Sequence, residues 1–348
     1  MIFGSKKLIG LDIGTSTIKM AEVDVSSSRV QLLSFGFAPT PAGSLNGGEI
    51  LNASAISTTV RALANEIRTK RKHISTGLWG TGVIVKKITI PRIDRKMIAD
   101  QLQWEAEQYL PFDINSISLA FHVVNPNSNN ETMDILLIAA QHEIVNQYRS
   151  VVSGAGLNMG ILDVSGFAIA NLFEANYGRS HETIGLINIG SGVTNFVVLM
   201  QGEVIFSRDV AVGGYNYTNE ISKELGTTLP EAESLKLSAV NRGAVPDEVH
   251  SILASTNDLV TDEIRNSFEF FVGSNSGAAF NRCFVTGGSS SVPGLVEKIS
   301  QATGVVTEKM NPFLRVRASR SFSDAYLRQI APFASVAIGL AMRKVGDA

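Results

Sequence analysis

The chain has 348 residues, of which 44% are hydrophobic and 18% charged, and this composition excludes an intrinsically disordered polypeptide. Its length predicts two or three domains. The formal net charge of −2 gives no electrostatic basis for nucleic-acid binding, and the single cysteine, Cys283, excludes an intramolecular disulfide framework and fits a reducing cytoplasm.

The first predicted elements are two strands joined by a turn of small residues. In LDIGTSTIKM (residues 11–20), an apolar strand is interrupted by Gly14, Thr15 and Ser16. Glycine weakens a strand, and it is found there where the backbone bends sharply or approaches another group closely. Such a turn exposes several N–H groups together, which suits an anion and in particular a phosphate. Taken alone, the stretch leaves an ordinary hairpin turn open as the alternative.

The next region predicts a strand over residues 29–39, a Pro- and Gly-rich loop, and an amphipathic helix over residues 56–71. This helix ends in the basic run RTKRKH (residues 68–73). A solvated helix C-terminus, favoured by the macrodipole, explains the run. Contact with an anionic membrane surface is the alternative.

A change of pattern from about residue 84 predicts a small inserted domain. The strand VIVKKITIP is followed by Asp94, the expected N-cap of a helix that Pro111 stops. Two more strands, separated by the turn-forming NPNSNN (residues 125–130), lead to the helix HEIVNQYRSVVSGAG. We therefore predict a separate β-α-β-β-α domain over residues 84–156.

The first turn is echoed half a chain later by INIGSGVTNF (residues 187–196). A repeated hairpin at this spacing predicts two similar lobes, each contributing one loop. Two phosphate-binding turns that face each other would form a clamp, and this favours a nucleotide as the ligand. The uncharged stretch over residues 183–202 is long enough for a membrane span, but two strands around a Gly-rich turn explain it better.

The rest of the second lobe predicts helices from Gly213 and Gly214 onward, then a strand and a Gly-Gly turn in RCFVTGGSSSVPG, and an apolar C-terminal helix that packs on the first lobe. The predicted division of the chain is a first lobe of residues 1–83, 157–178 and 328–348, an inserted domain of residues 84–156, a second lobe of residues 179–212 and 278–327, and a helical subdomain of residues 213–277.

Three Gly-rich turns thus stand in order, DIGTST, NIGSGVT and TGGSSSVPG, while a P-loop and a complete GxGxxG are both absent. The ordered trio resembles the actin-like ATPase superfamily. The resemblance implies an α/β fold with two actin-like (ribonuclease H-like) lobes, and it implies ATP or ADP with Mg²⁺ as the cofactors.

The resemblance also implies that the first two turns hold the phosphates. Asp12 resembles a carboxylate that orients the Mg²⁺ shell through water, since Mg²⁺ dehydrates reluctantly, and Lys19 would lie near the phosphates. The implied phosphate loops are Gly14, Thr15 and Ser16, and Gly190, Ser191, Gly192 and Thr194.

The third turn resembles the superfamily's adenosine turn, where absent side chains let an adenine lie against the backbone. EAESLK resembles the E-x-x-K pair that flanks ribose and base, and a helix-surface ion pair at i,i+3 is the alternative. The implied residues of this part are Gly213, Gly214, Glu233, Lys236, Gly287, Gly288 and Ser289.

Two residues are implied in catalysis. Asp163 falls where the superfamily places the group that positions the attacking water, although an N-cap is the simpler interpretation of an Asp before an apolar helix. Asn188 stands where most catalytic members have Asp. It keeps the size and hydrogen bonding of Asp but removes a unit of charge beside Mg²⁺, so we expect hydrolysis to be slow or absent.

The insertion resembles that of the PilM family of type IV pilus assembly proteins, as do SRDVAVGGYNYTNEIS and GGSSSVPGLVEKIS. This resemblance implies a cytoplasmic protein, peripheral at the inner membrane through its partner only, that binds the cytoplasmic N-terminal peptide of PilN. It would link the pilus motor to the periplasmic alignment complex, with pilus motor ATPases or platform proteins as further partners, and nucleic acid is not among them.

The resemblance places the peptide in a groove between the first lobe and the inserted domain. On the first helix of that domain we expect one buried face made of Met97, Ile98, Leu102 and Leu110. Trp104 and Tyr109 lie off this face, where they could serve as interface anchors. Packing of both aromatic rings inside the domain is the alternative.

Two other functions stay open at this point. A metabolite kinase of the same superfamily would need a base acting on a substrate hydroxyl, and we find no second polar constellation for one. A filament-forming division protein of the FtsA type would need a C-terminal amphipathic helix, and here the end of the sequence is too apolar.

Overall fold

Two large β-sheets and one small sheet organise the protein. The computed structural model describes residues 7–26, 29–124, 130–275 and 277–346. The strands are β1 (Ile9–Ile13), β2 (Thr17–Ser26), β3 (Arg29–Pro39), β4 (Leu45–Asn46), β5 (Glu49–Ile50), β6 (His73–Leu78), β7 (Val83–Pro91), β8 (Ile117–Val124), β9 (Thr132–Gln141), β10 (Asn158–Val164), β11 (Ile184–Ile189), β12 (Thr194–Met200), β13 (Glu203–Val210), β14 (Arg282–Thr286), β15 (Thr307–Lys309) and β16 (Arg317–Ala318).

Ten helices cover these sheets within the described part of the chain. They are α1 (Ala53–Glu66), α2 (Arg95–Tyr109), α3 (His142–Gly154), α4 (Ser165–Tyr177), α5 (Gly214–Leu225), α6 (Leu229–Val240), α7 (Asp247–Ser274), α8 (Leu295–Thr303), α9 (Asp324–Ile330) and α10 (Ser335–Ala341). Short 3₁₀ turns occupy Ile114–Ser116 and Gly288–Ser291.

The first lobe is a six-stranded sheet in the order β10-β6-β1-β2-β3-β16. β1 pairs antiparallel with β2 and parallel with β6, as expected for a hairpin followed by a crossover. Alternate residues of β1 point to opposite faces of the sheet. Ile9, Leu11 and Ile13 pack with α1 and α3, while Gly10 lies against α10 on the opposite face.

Helix α3 packs on the first lobe and not, as we expected, on the inserted sheet. Its buried residues Ile144, Tyr148 and Val151 share a core with β1 and α1, and Ser57 Oγ of α1 donates to Val151 O over 3.1 Å. An amphipathic pattern shows that one helix face is buried but not which sheet buries it. The core of the inserted unit is therefore built without α3.

The inserted unit is a three-stranded sheet in the order β7-β9-β8 with α2 on one face. Asp94 caps α2 by accepting from Lys96 N, as the sequence predicts. The buried side of α2 holds Ile98 and Leu102, but Met97 is 60% exposed, so its expected place on that face is wrong. Residues 125–129 of the predicted turn lie outside the described part of the chain.

The second lobe is a five-stranded sheet in the order β13-β12-β11-β14-β15. The uncharged stretch over residues 183–202 forms the antiparallel pair β11 and β12 and not a helix. Across the described ranges, every helix is too short or too polar to cross a bilayer. Helices α5 to α8 cover the outer face of the sheet.

Helices α4 and α10 lie between the two large sheets and join them into one core. Their backbones nearly touch, because an added Cβ on Gly339 of α10 would lie 1.9 Å from Ala168 O of α4. An added Cβ on Gly10 of β1 would lie 1.9 Å from Ala337 O. Glycine is required at both positions by this close approach.

Replacing Gly339 by alanine tests the contact between α4 and α10. We expect the free energy of unfolding to fall by about 1–3 kcal/mol, because the new methyl group meets a backbone oxygen that no side-chain rotation can move. Urea denaturation followed by circular dichroism measures the change.

The matched control is Gly273→Ala in α7, where no described atom lies within 4 Å of the added methyl group. Alanine should raise stability there by about 0.5–1 kcal/mol through its helix propensity. Equal stability of the Gly339→Ala protein and the parent would contradict the close helix contact.

Candidate functional site

The site is built where the two large sheets face each other across α4 and α10. Asp12 is the penultimate residue of β1, and Asn188 is the penultimate residue of β11. By strand alternation, Asp12 shares a face with Gly10, which lies against α10, and Asn188 shares a face with Ile184 and Leu186, which pack in the core around α4 and α10. Both polar residues therefore face the cleft between the lobes, next to their hairpin turns.

The first hairpin turn is held by Gly14 N donating to Thr17 O over 3.1 Å and by Thr40 Oγ1 donating to Gly14 O over 2.7 Å. Beside it, Lys19 Nζ lies 3.0 Å from Asp12 Oδ2, and both side chains are largely buried. The predicted carboxylate and the predicted lysine thus form one ion pair at the base of the turn.

The second hairpin turn lies directly against the first. Gly190 N donates to Val193 O over 2.9 Å, which closes the turn. An added Cβ on Gly192 would lie 2.9 Å from Thr15 Oγ1, so the tips of the two hairpins are in contact. The sequence predicts two turns that face each other, and the structure brings them together.

Two further segments meet the second turn at Gly190. Gly214 N, at the start of α5, donates to Gly190 O over 2.9 Å, and Ser289 Oγ donates to the same oxygen over 2.8 Å. An added Cβ on Gly213 would lie 2.5 Å from Gly190 O. The two hairpin turns, the start of α5 and the third turn are packed so closely that Gly190, Gly213 and Gly214 have no room for side chains.

Lys236 is almost fully buried, at 6% exposure, and belongs to this cluster. Its Nζ lies 2.7 Å from Glu233 Oε2 and donates to Gly214 O and Thr218 Oγ1 over 3.1 and 2.9 Å. The i,i+3 ion pair of the alternative is therefore present, but its lysine is buried in the cluster and does not lie on the helix surface. Thr194, by contrast, is buried and donates its hydroxyl to Val212 O, so its side chain serves the fold.

The third turn places two neighbouring glycines in opposite environments. Gly287 has φ +95°, and an added Cβ would lie 2.3 Å from Ile189 O, so this position needs glycine for the fold itself. At Gly288 no described atom lies within 4 Å of an added Cβ. Gly288 therefore faces open space beside the cluster, where a flat ring could lie against the backbone.

Asp163 lies in β10 and not in the cap of α4, whose N-cap is Val164 without a side-chain bond. In the sheet, Asp163 pairs with Gly77 of β6. The preceding residue of β6, Thr76, pairs with Leu11 of β1, so Asp163 lies at the same level of the sheet as Asp12, two strands away. Its Oδ2 lies 3.0 Å from Arg343 Nη1. The N-cap alternative is wrong, and the carboxylate carries an ion pair that the sequence did not indicate.

Asp209 was missed by the sequence reasoning. It lies in β13 and accepts from Asn195 Nδ2 and from Gly80 N, each over 2.7 Å, while Asn195 Oδ1 accepts from Asn188 Nδ2 over 2.7 Å. Burial raises the pKa of the Asp209 carboxyl, and these two donors lower it by a smaller amount. Only its place in SRDVAVGG, close before the Gly-Gly pair, could have drawn attention to it.

The residues present fit a nucleotide better than a directly bound metal ion. The described residues hold no group of three or more His, Cys, Asp or Glu side chains that could ligate a metal. Asp12 and Asn188 could instead orient a Mg²⁺ shell through water, the form in which Mg²⁺ is usually held beside phosphates.

A cavity of about 380 Å³ opens beside the hairpin tips, between the lobes and the inserted sheet. Trp79 and Thr81 of the first lobe, Val83–Val85 of β7, and Gly192 and Asp209 of the second lobe line it.

The two aromatic residues of α2 lie elsewhere. Trp104 is 78% exposed, so the alternative that it packs inside the inserted unit is wrong. Tyr109 is partly buried against that core, with Lys86 Nζ 5.1 Å from its ring centre.

Comparison with known proteins finds both pilus and cell-division relatives. A family model described as type IV pilus assembly protein PilM matches residues 10–345. The cell division protein FtsA of Enterococcus hirae is 21% identical, with 85% of this chain and 76% of that protein covered. The match covers 57% of FtsA of Bacillus subtilis (strain 168), which is 25% identical over 66% of this chain.

Solved structures that share the fold include the following two. A chain of a PilM–PilN type IV pilus biogenesis complex has a TM-score of 0.88 and 28% identity, with 98% of this chain and 99% of that chain covered. MreB5 of Spiroplasma citri bound to ADP has a TM-score of 0.51 and 12% identity, with 89% and 93% covered. The predicted two-lobed actin-like fold is confirmed. Since the family match spans nearly the whole sequence, the chain belongs to the PilM family of type IV pilus assembly proteins.

Proposed function

We propose that the protein binds ATP or ADP with Mg²⁺ in the cleft between the two hairpins and holds the cytoplasmic N-terminal peptide of PilN. It acts in the cytoplasm, peripheral at the inner membrane through this partner, and links the pilus motor or platform to the periplasmic alignment complex. The observation that carries the nucleotide part is the contact of Gly192 with Thr15, which sets two phosphate-type turns tip to tip.

Backbone donors on both turns support phosphate binding. Among the described residues, no acceptor is paired with the N–H groups of Thr15, Ser16, Ser191 or Gly192. Successive free N–H groups in a turn form a concave site for an anion. Phosphates between the turns would satisfy donors from both lobes, and bound Mg²⁺ would supply charge neutralisation there.

The nucleoside end is supported by the third turn and by Lys236. The open face of Gly288 leaves space for an adenine, while Lys236 and Glu233 flank the same cluster. The buried Lys236 ammonium already has three partners, so it is fixed in position before any ligand arrives.

Replacing Gly288 by valine tests the nucleoside position. The variant should fold, because its side chain points into open space, and we expect ATP affinity measured by calorimetry to fall at least about 100-fold, since the branched side chain occupies the adenine position. Gly273→Val, at an equally open glycine in α7, controls for the substitution itself. Undiminished ATP affinity of the Gly288→Val protein would refute this placement.

ATP is proposed to act as a structural ligand that holds the lobes together. Asn188 lacks the carboxylate charge of catalytic relatives, and Asp163, the other implied catalytic group, is paired with Arg343. Neither residue is a free base for an attacking water.

We therefore expect ATP to stabilise the fold without being consumed. At 100 times its Kd, a ligand of the native state adds about 2.7 kcal/mol to the free energy of unfolding, so thermal melting should shift upward with ATP. Phosphate release, measured in parallel, should stay at background. A turnover of ~1 s⁻¹ or more would contradict the role given to Asn188.

The cavity is the groove we propose for the PilN peptide. β7 is an edge strand, because its described pairing is with β9 alone, and Val83–Val85 of this strand line the cavity. An extended peptide can hydrogen-bond to such an edge and place alternate side chains in apolar pockets. The exposed Trp104 on α2 is a separate anchor for the same partner or for the platform.

Filling the cavity tests this placement. Thr81 is exposed and lines the cavity, so Thr81→Trp should leave the fold intact and reduce the affinity for a PilN N-terminal peptide at least about tenfold, measured by fluorescence anisotropy. Thermal melting of the same protein, followed by circular dichroism, is the folding control. Trp104→Ala tests the anchor on α2, and Leu237→Ala, at another exposed apolar position, is its matched control. Loss of binding in Trp104→Ala alone would move the peptide to the outer face of α2.

A further inference from the structure

Three polar side chains form a continuous hydrogen-bonded row across the cleft face of the second sheet. The register pairs Asn188 with Asn195 and Asn195 with Asp209, so all three lie on one face of neighbouring strands. Each of the two contacts in the row measures 2.7 Å, and a third 2.7 Å bond joins Asp209 Oδ2 to Gly80 N of the first lobe.

The carboxylate at one end determines the orientation of both amides. An ionised carboxylate only accepts hydrogen bonds, and both oxygens of Asp209 have donors, Asn195 Nδ2 and Gly80 N. Asn195 must therefore turn its Oδ1 toward Asn188, which in turn must donate its Nδ2. Asn195 is only 2% exposed, so bulk water cannot replace these partners if an amide is reversed.

The far end of the row consequently presents an oxygen to the cleft. Within the described parts of the chain, no donor is hydrogen-bonded to Asn188 Oδ1. Without the row, an amide at this position could present either its oxygen or its NH₂ group, and only the oxygen can accept from water in a Mg²⁺ shell.

We propose that Asp209 is a positioning residue that, through Asn195, holds Asn188 with its side-chain oxygen toward the bound Mg²⁺–nucleotide. The inference rests on the proposed nucleotide site and deepens it. Asn188 then retains the acceptor function of the missing carboxylate while the negative charge sits two side chains away, on Asp209.

Folding stability does not explain the carboxylate at this position. Burial raises the pKa of Asp209 above its ordinary value, and a carboxyl whose pKa is raised by folding contributes stability at low pH that is lost as pH rises through the folded pKa. The burial that raises this pKa therefore opposes the ionised form, so Asp209→Asn should not lower the melting temperature.

A stability cycle tests the row without any nucleotide. In Asp209→Asn, the new amide can accept from Gly80 N as the carboxylate does and donate to a reversed Asn195, so all three bonds are kept while the bonds to Asn195 and to Asn188 change direction. Asn188→Asp alone places a carboxylate oxygen against Asn195 Oδ1, and neither oxygen can donate a hydrogen bond. We therefore expect the melting temperature of this variant to fall by about 5 °C. Adding Asp209→Asn to it should restore most of that loss, because the reversed Asn195 then donates to the new carboxylate.

The Mg²⁺ dependence of nucleotide binding tests the function of the row. We expect Mg²⁺ to strengthen ADP binding by the parent protein. The Mg²⁺ gain is the ratio of the ADP affinity with Mg²⁺ to the ADP affinity in EDTA, both measured by calorimetry, and we expect it to fall about tenfold in Asp209→Asn. ADP affinity in EDTA should be unchanged. The double variant, which presents a carboxylate oxygen, should recover the gain.

The outcomes separate this inference from the proposed function. Additive melting-temperature losses in the double variant, or an unchanged Mg²⁺ gain in Asp209→Asn, would overturn the positioning role. A parent protein that binds no nucleotide would refute the proposed site and with it the role toward Mg²⁺, whereas the stability cycle reports on the row in either case.

Discussion

The backbone contact between α4 and α10 is the constraint on which the rest of the structure depends. These two helices fill the space between the large sheets, and their separation is set by Gly339 against Ala168 O. Because both sheets pack on this pair, the distance between β1 and β11 is fixed as well, and with it the meeting of Thr15 and Gly192 at the hairpin tips. A wider helix contact would separate the turns and divide the proposed anion site into two weaker ones.

The cleft contains few charges that are free to act. Asp12 is paired with Lys19, Asp163 with Arg343 and Glu233 with Lys236. Such pairing favours holding a charged ligand over activating a water molecule, since a general base must be unpaired and near the proton that it removes. This pairing supports the proposed role of the nucleotide as a structural ligand.

The sequence predicts the two hairpins, the third turn and the family, because each depends on local residue types such as Gly followed by Ser or Thr. It fails where the outcome depends on packing between distant segments. Met97 fits a helical stripe but lies outside the buried face, and α3 has a clear apolar face whose covering sheet the pattern does not name. The sequence does not predict a role for Asp209 for the same reason, because that role depends on hydrogen bonds with Asn195 and Gly80, which are distant in the chain.

The attachment of the inserted unit has a mechanical consequence. β9 runs without a loop into α3, since Gln141 ends the strand and His142 begins the helix, and α3 is sealed into the first-lobe core by Tyr148. On its other face the inserted sheet packs on the second lobe through Val124 and Leu136. The unit is therefore a rigid extension and not a tethered module. A load applied to the unit would therefore act along β9 on α3 and on the first-lobe core to which α3 belongs.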